Sequence, residues 1–173
     1  ITPCDLEVAT REVYTELNEL IVEHYGRLDG LLHNASMLGA RVPLAHYDLD
    51  SWRRVMLINV DAAFLLTQSL LPALQRATDA SIVFTSSSVG RQGRAYWGAY
   101  AVSKFAVEGF AQVLADELEH EGRVRVATLN PGATRTPMRA AAYPGEDPQT
   151  VPTAEARMYI YLYLLCPDAR GRD

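Results

Sequence analysis

Lysine is almost absent from this 173-residue sequence: of its sixteen basic residues fifteen are arginine and one, Lys104, is lysine. Cysteine is nearly as scarce. Cys4 and Cys166 stand at opposite ends, which excludes a disulfide framework and a Cys-x-x-Cys metal or redox pair. No run approaches the roughly 18 consecutive apolar residues of a membrane span, and the greasiest patches, 62–66 and 159–166, are far too short. There is no basic block, and a formal net charge of −5 excludes nucleic acid as an expected partner, because that binding rests on phosphate neutralisation. No Gly-x-Ser-x-Gly elbow marks a hydrolase, and His120-Glu121 lacks the second histidine of His-Glu-x-x-His. His24, His33, His46 and His120 are scattered without metal-ligand spacing, so they read as surface or internally satisfied groups and no metal is expected. No signal-like region opens the chain, and neither does a methionine. A cytoplasmic protein is expected, and the chain reads as a piece of a longer one.

What is present is ordinary for a single globular domain: 49% hydrophobic and 21% charged residues over a length that can bury a real core. Helical and strand-like stretches alternate without internal repeats. Residues 7–25 carry Val13, Leu17, Leu20 and Ile21 at helical spacing, with Gly26 as the stop. A buried strand is predicted over 28–33. A long helix follows over 52–77, capped by Asp50 or Ser51 and kinked at Pro72. The clearest strand is 81–86, then a helix over 98–120, a strand over 123–129, a loop or lid over 133–152 and a last helix over 153–165. This alternation implies βαβ units: a parallel sheet with helices on both faces, whose ligands bind outside the carboxyl ends of the strands. Those ends are His33-Asn34-Ala35-Ser36, Thr85-Ser86-Ser87-Ser88 and Asn130-Pro131-Gly132, all small and polar, as a ligand crevice or plain turns would require.

Tyr100 and Lys104 lie four apart in a predicted helix, so they share a face. An ammonium about 4 Å from a phenol would favour the phenolate by about 4 kcal/mol at an effective dielectric of 20. That is enough to bring Tyr100 towards neutral-pH acid–base work. A sequence that uses arginine elsewhere yet keeps lysine here points to a need for a compact charge. Ser87 stands just past the best strand, where a hydroxyl can hold a substrate oxygen, although Ser86 and Ser88 are not separated from it by pattern. Asn59 interrupts the apolar run 56–60, and a buried amide there must bridge backbone groups, hold water, or both.

Taken in order, Asn34-Ala35, Asn59, Ser87, Tyr100-x-x-x-Lys104 and Pro131-Gly132 resemble the short-chain dehydrogenase/reductase family across essentially the whole chain. The phrases TSSSVGRQGRAYWGAYAVSKF and NPGATRTPMRA are similar to a bacterial oxidoreductase branch. The resemblance implies a doubly wound Rossmann-type α/β domain, here partial over residues 1–173, with NAD or NADP as cofactor. It also implies hydride transfer between that cofactor and a small alcohol or carbonyl substrate. Under it, Tyr100 is the acid/base, Lys104 tunes it and binds the ribose, Ser87 orients substrate, and Asn59 serves a proton relay. Asn34 and Ala35 stabilise a strand end, Pro131, Gly132, Thr134 and Thr136 face the nicotinamide, and Asp5 contacts adenine. Ser36 departs from the usual glycine. The resemblance places Ile1 inside the third strand of the full fold, and finds no counterpart for the glycine-rich turn, the NAD/NADP-selecting residue or the strand after Asp168. It implies a homodimer or homotetramer formed through the helices at 52–77 and 98–120. A non-catalytic nucleotide-sensing or partner-binding relative, and an epimerase or dehydratase on the same fold, are the alternatives.

Overall fold

The computed structural model describes residues 2–166. Ile1, expected inside a third strand, and the region after Asp168 lie outside them. Three parallel strands, β1 (Gly30–His33), β2 (Ala80–Thr85) and β3 (Val124–Leu129), form one sheet in that order. Gly30 pairs with Ser81 and His33 with Phe84, while Ala80 pairs with Val124 and Thr85 with Leu129, so the carboxyl ends finish together. Helix α1 (Arg11–Tyr25) precedes β1, α2 (Leu49–Met56) and α3 (Ala62–Leu74) cross from β1 to β2, and α4 (Gly98–Leu118) crosses from β2 to β3, followed by α5 (Pro137–Ala142) and α6 (Met158–Leu165).

The period-2 alternation of β2 sorts its side chains between two faces. Ala80, Ile82 and Phe84 enter the main core with Leu70 and Leu74 of α3 and with Val107, Ala111, Leu114 and Leu118 of α4. Ser81 and Thr85 point the other way, to α6, where Ser81 Oγ donates to the Leu164 carbonyl and Thr85 Oγ1 meets the Tyr161 hydroxyl at 3.2 Å. Helices therefore cover both sheet faces. His33 is stacked on Phe84 with Nε2 2.8 Å from Thr67 Oγ1, and burial pulls its pKa down to about 4. It is an internally satisfied histidine.

Several expected boundaries shift. Gly26 does end α1 in the left-handed conformation, but the helix begins at Arg11, and residues 6–8 form a turn. Asp48, rather than Asp50 or Ser51, caps α2 by accepting from the Ser51 N–H at 2.7 Å. The helical stretch Leu49–Leu74 is continuous through Pro72, and its irregular winding falls at Leu57–Asp61, a π-type turn around Asn59. An inserted residue of that kind is relieved where a side chain bonds away from the helix, as Asn59 does. By length and composition this stretch could cross a membrane, yet Val55, Ala62, Ala63, Leu70, Ala73 and Leu74 are buried within the protein. No strand forms before Asp5: residues 2–5 have no ladder partner among the described residues, and an unpaired segment cannot make a strand. The expected lid contains α5, started by the Thr136 hydroxyl accepting from the Arg139 N–H.

Candidate functional site

The three strand ends open into a crevice of about 830 Å³, within the range of small-molecule and cofactor sites. It is lined by Asn34, Ala35, Ser87, Tyr100, Lys104, Pro131, Gly132, Thr134 and Thr136. Residues up to 102 positions apart in the chain are thus brought together. Asn59 and Asp5 do not line it.

Helix α4 presents its buried residues Tyr100, Ser103, Lys104, Val107 and Ala111 at spacings of three and four, so one stripe faces the sheet. The loop after β2 reaches it because of Gly90, where a Cβ would stand 2.9 Å from Lys104 Cβ and 3.0 Å from its backbone. That close approach sets Ser87 against Tyr100. The ambiguity among the serines narrows by partners: Ser86 Oγ donates to Glu108 at 2.5 Å, while the Ser87 hydroxyl accepts from the Val89 N–H and stands near enough to the Tyr100 phenol to lower its pKa. Glu108 also accepts from Arg91 and from Thr128, forming a polar bracket beneath the loop.

Lys104 behaves differently from the expectation. Its Nζ donates to the Thr85 carbonyl at 2.8 Å and stands 5.5 Å from the Tyr100 ring centroid. The ammonium is aimed at a strand-end carbonyl instead of the phenol. Burial therefore dominates Tyr100 and pushes its pKa up, the Ser87 hydrogen bond pulls it back, and Lys104 is not among the causes. Burial also lowers Lys104 to about 8. The predicted downward shift of Tyr100 by Lys104 is not what this arrangement produces.

Thr85 is the residue that sequence reasoning missed. Its carbonyl holds Lys104, and its hydroxyl donates to Asn34 Oδ1 at 3.1 Å, tying the ends of β1 and β2 together. Its place at the end of the most legible strand was the available signal.

Asn59 is 4% exposed and fully engaged elsewhere. Its Oδ1 accepts from the Met37 N–H at 2.7 Å, and its Nδ2 donates to the Met37 carbonyl and to Ser103 Oγ, both at 2.9 Å. The amide clamps the segment after β1 to α4, one residue before Lys104, and does not touch Lys104 itself. Asn59→Ala leaves the Met37 N–H and C=O without their side-chain partner, at about 1–3 kcal/mol each before relaxation, while Ser103 Oγ keeps its bond to the Tyr100 carbonyl. Its thermal midpoint should fall by several degrees, and an unchanged melting curve would contradict the clamp.

Asp5 is exposed, with Oδ1 accepting from the Glu7 N–H at 3.0 Å. Ser36 lines the crevice with a backbone outside the left-handed region, so its side chain costs no strain. Gly132 does occupy that region, at φ 74°, where the Pro-Gly turn requires it, and its N–H donates to Asn130 Oδ1. Thr134 donates to the Gly132 carbonyl.

The opposite wall is aromatic. Trp97 lies 5.8 Å from Tyr100 and 5.9 Å from Tyr143, centroid to centroid, with Met138 beside them in the crevice. Arg41 sits 4.2 Å over Trp97 and donates to the Ala142 carbonyl, while Arg139 sits 3.8 Å over Tyr143 and pairs with Glu146 through two bonds. These contacts hold α5 against the start of α4. Of the expected lid over 133–152, the first part lines the crevice, with Thr134, Thr136, Met138 and Tyr143 among its lining residues.

A family model described as short chain dehydrogenase matches residues 1–147. The uncharacterized oxidoreductase YciK of Escherichia coli K12 is 53% identical over 168 residues, covering 97% of this chain and 66% of that protein. Among solved structures, a short chain dehydrogenase from Pseudomonas syringae superposes with a TM-score of 0.97 at 55% identity, covering 100% of this chain and 70% of that one. Another from Shigella flexneri, complexed with NADP, gives 0.92 at 54% identity, covering 96% and 69%. The chain thus spans about two thirds of the length of these relatives.

Proposed function

The chain belongs to the short chain dehydrogenase family, and from that premise we propose that it carries the catalytic half of an NAD(P)-dependent oxidoreductase interconverting a secondary alcohol and a carbonyl. The observation that carries this reading is the meeting of Tyr100 and Ser87 in a crevice at three strand ends. A bound nicotinamide supplies the hydride chemistry. The residues present fit such a group: the crevice is large enough, its strand-end rim is small and polar, and among the described residues no carboxylate lines it to repel an anionic dinucleotide. Asn34, Ala35, Pro131, Gly132, Thr134 and Thr136 would hold the nicotinamide half. NADP is favoured over NAD by the similar protein that binds it.

Burial keeps Tyr100 protonated at neutral pH, which suits donation of its Oη proton to a substrate carbonyl oxygen during reduction. Ser87 Oγ lies beside that phenol and can hold the same oxygen in line. Lys104, fixed by Thr85, keeps a positive charge beneath the tyrosine ring. Asn59 is a positioning residue that secures the helix carrying both. The wall of Trp97, Met138 and Tyr143 excludes water from one side and suits an apolar substrate body.

Incubating the full-length protein with NADPH and a broad panel of carbonyl compounds should consume the reduced cofactor, followed by its absorbance. No consumption across the panel would overturn the reading. Phe64 of α3 and Val102, Phe105 and Val113 of α4 are exposed, which supports self-association as a homodimer or homotetramer. Light scattering at the monomer mass would remove that part.

A further inference from the structure

The chain is acidic overall, at −5, yet among the described residues its crevice is lined by three cations and by no aspartate or glutamate. The three are not equivalent. Lys104 is committed to the Thr85 carbonyl, and Arg139 is neutralised by two bonds to Glu146. Arg157 is left. Its Nε is buried without a hydrogen-bond partner, and it pairs with no carboxylate among the described residues. It stands beside the Pro131-Gly132 turn, where a Cβ on Gly132 would come within 4.0 Å of Nη2.

A guanidinium carries five N–H donors in a rigid fork, and donors removed from water without acceptors are costly. An oxyanion in the crevice would supply those acceptors in the bidentate geometry the fork prefers. We propose that Arg157 is an oxyanion-binding residue of this crevice, holding a phosphate or carboxylate group of the bound ligand next to the Gly132 turn. The ligand chemistry has two sources, the diphosphate of the dinucleotide or a carboxylate on the carbonyl substrate. The inference rests on the proposed function only in taking the crevice as the ligand site.

The test uses the full-length protein and calorimetric titration with inorganic pyrophosphate, with NADPH, and with 4-oxocyclohexanecarboxylate added to NADPH-saturated protein. In Arg157→Gln, about tenfold weaker binding of pyrophosphate and NADPH assigns the oxyanion to the dinucleotide, as expected for one lost charge-assisted contact. About tenfold weaker binding of the keto acid alone assigns it to the substrate. Equal affinities of wild type and variant for all three probes overturn the proposal. Arg157→Met, which keeps the aliphatic stem, reads the same affinities should Arg157→Gln lose its fold. Binding rather than turnover is read, so failure here leaves the oxidoreductase reading standing. Conversely, absent turnover leaves these affinities interpretable.

Discussion

Replacing Tyr100 by phenylalanine should cut carbonyl reduction by about 10²–10⁴-fold, the usual contribution of a positioned acid or base, while NADPH affinity stays within about twofold. The phenol is 8% exposed and packed against Trp97, so the ring keeps its place when the oxygen is removed. Only the proton and the bond to Ser87 are lost. Loss of one such hydrogen bond is worth about 1 kcal/mol, against the about 3–5 kcal/mol that a 10²–10⁴-fold rate loss represents. A structural role alone would therefore not produce the expected drop. Steady-state kinetics with a cofactor titration on the same sample decides it, and a variant that retains turnover would remove Tyr100 from the acid/base role.

Replacing Lys104 by methionine should lower turnover by on the order of 100-fold, at the lower end of what an acid–base partner supplies. The same change should raise the melting temperature at neutral pH. Burial holds the Lys104 pKa at about 8, below its ordinary 10.5. Between those values the unfolded chain keeps a proton that the folded chain has released, so stability rises with pH across that window. Below about pH 8 both states are protonated, and the fold carries the whole cost of a buried charge. That cost is on the order of 3 kcal/mol at 1.36 kcal/mol per pKa unit. It exceeds the about 1 kcal/mol supplied by the bond to Thr85, so the methionine variant gains a few degrees at pH 7. The difference should shrink towards pH 10. Lys104→Arg should not restore activity, because a planar fork cannot replace a compact ammonium beneath the Thr85 carbonyl. Equal melting of wild type and Lys104→Met at pH 7 would show that the site holds its charge without penalty.

The residues of this site were unevenly legible in the sequence. Ser87, Tyr100, Lys104 and the Asn130-Pro131-Gly132 turn were visible because each sits at a fixed offset from a strand or helix end. The choice of Ser87 over its neighbours was not, since it depends on Glu108, 22 residues beyond Ser86. Asn59 could be recognised as a buried polar group, but its partners Met37 and Ser103 lie 22 and 44 positions away. Arg157 carried no local signal at all. Its importance comes from which other cations found partners.

By itself the sequence determined the alternating strands and helices, the parallel sheet, and the sharing of one helix face by Tyr100 and Lys104. Those follow from periodicities of two and 3.6 residues, which the covalent chain imposes wherever a strand or helix forms. Only the tertiary structure decided where the Lys104 ammonium points, that burial raises the Tyr100 pKa, that Asp5 lies outside the crevice, and that Arg157 stands within it with no carboxylate partner among the described residues. Each of these is set by packing between distant segments, and a side chain's direction and desolvation are properties of its neighbours in space.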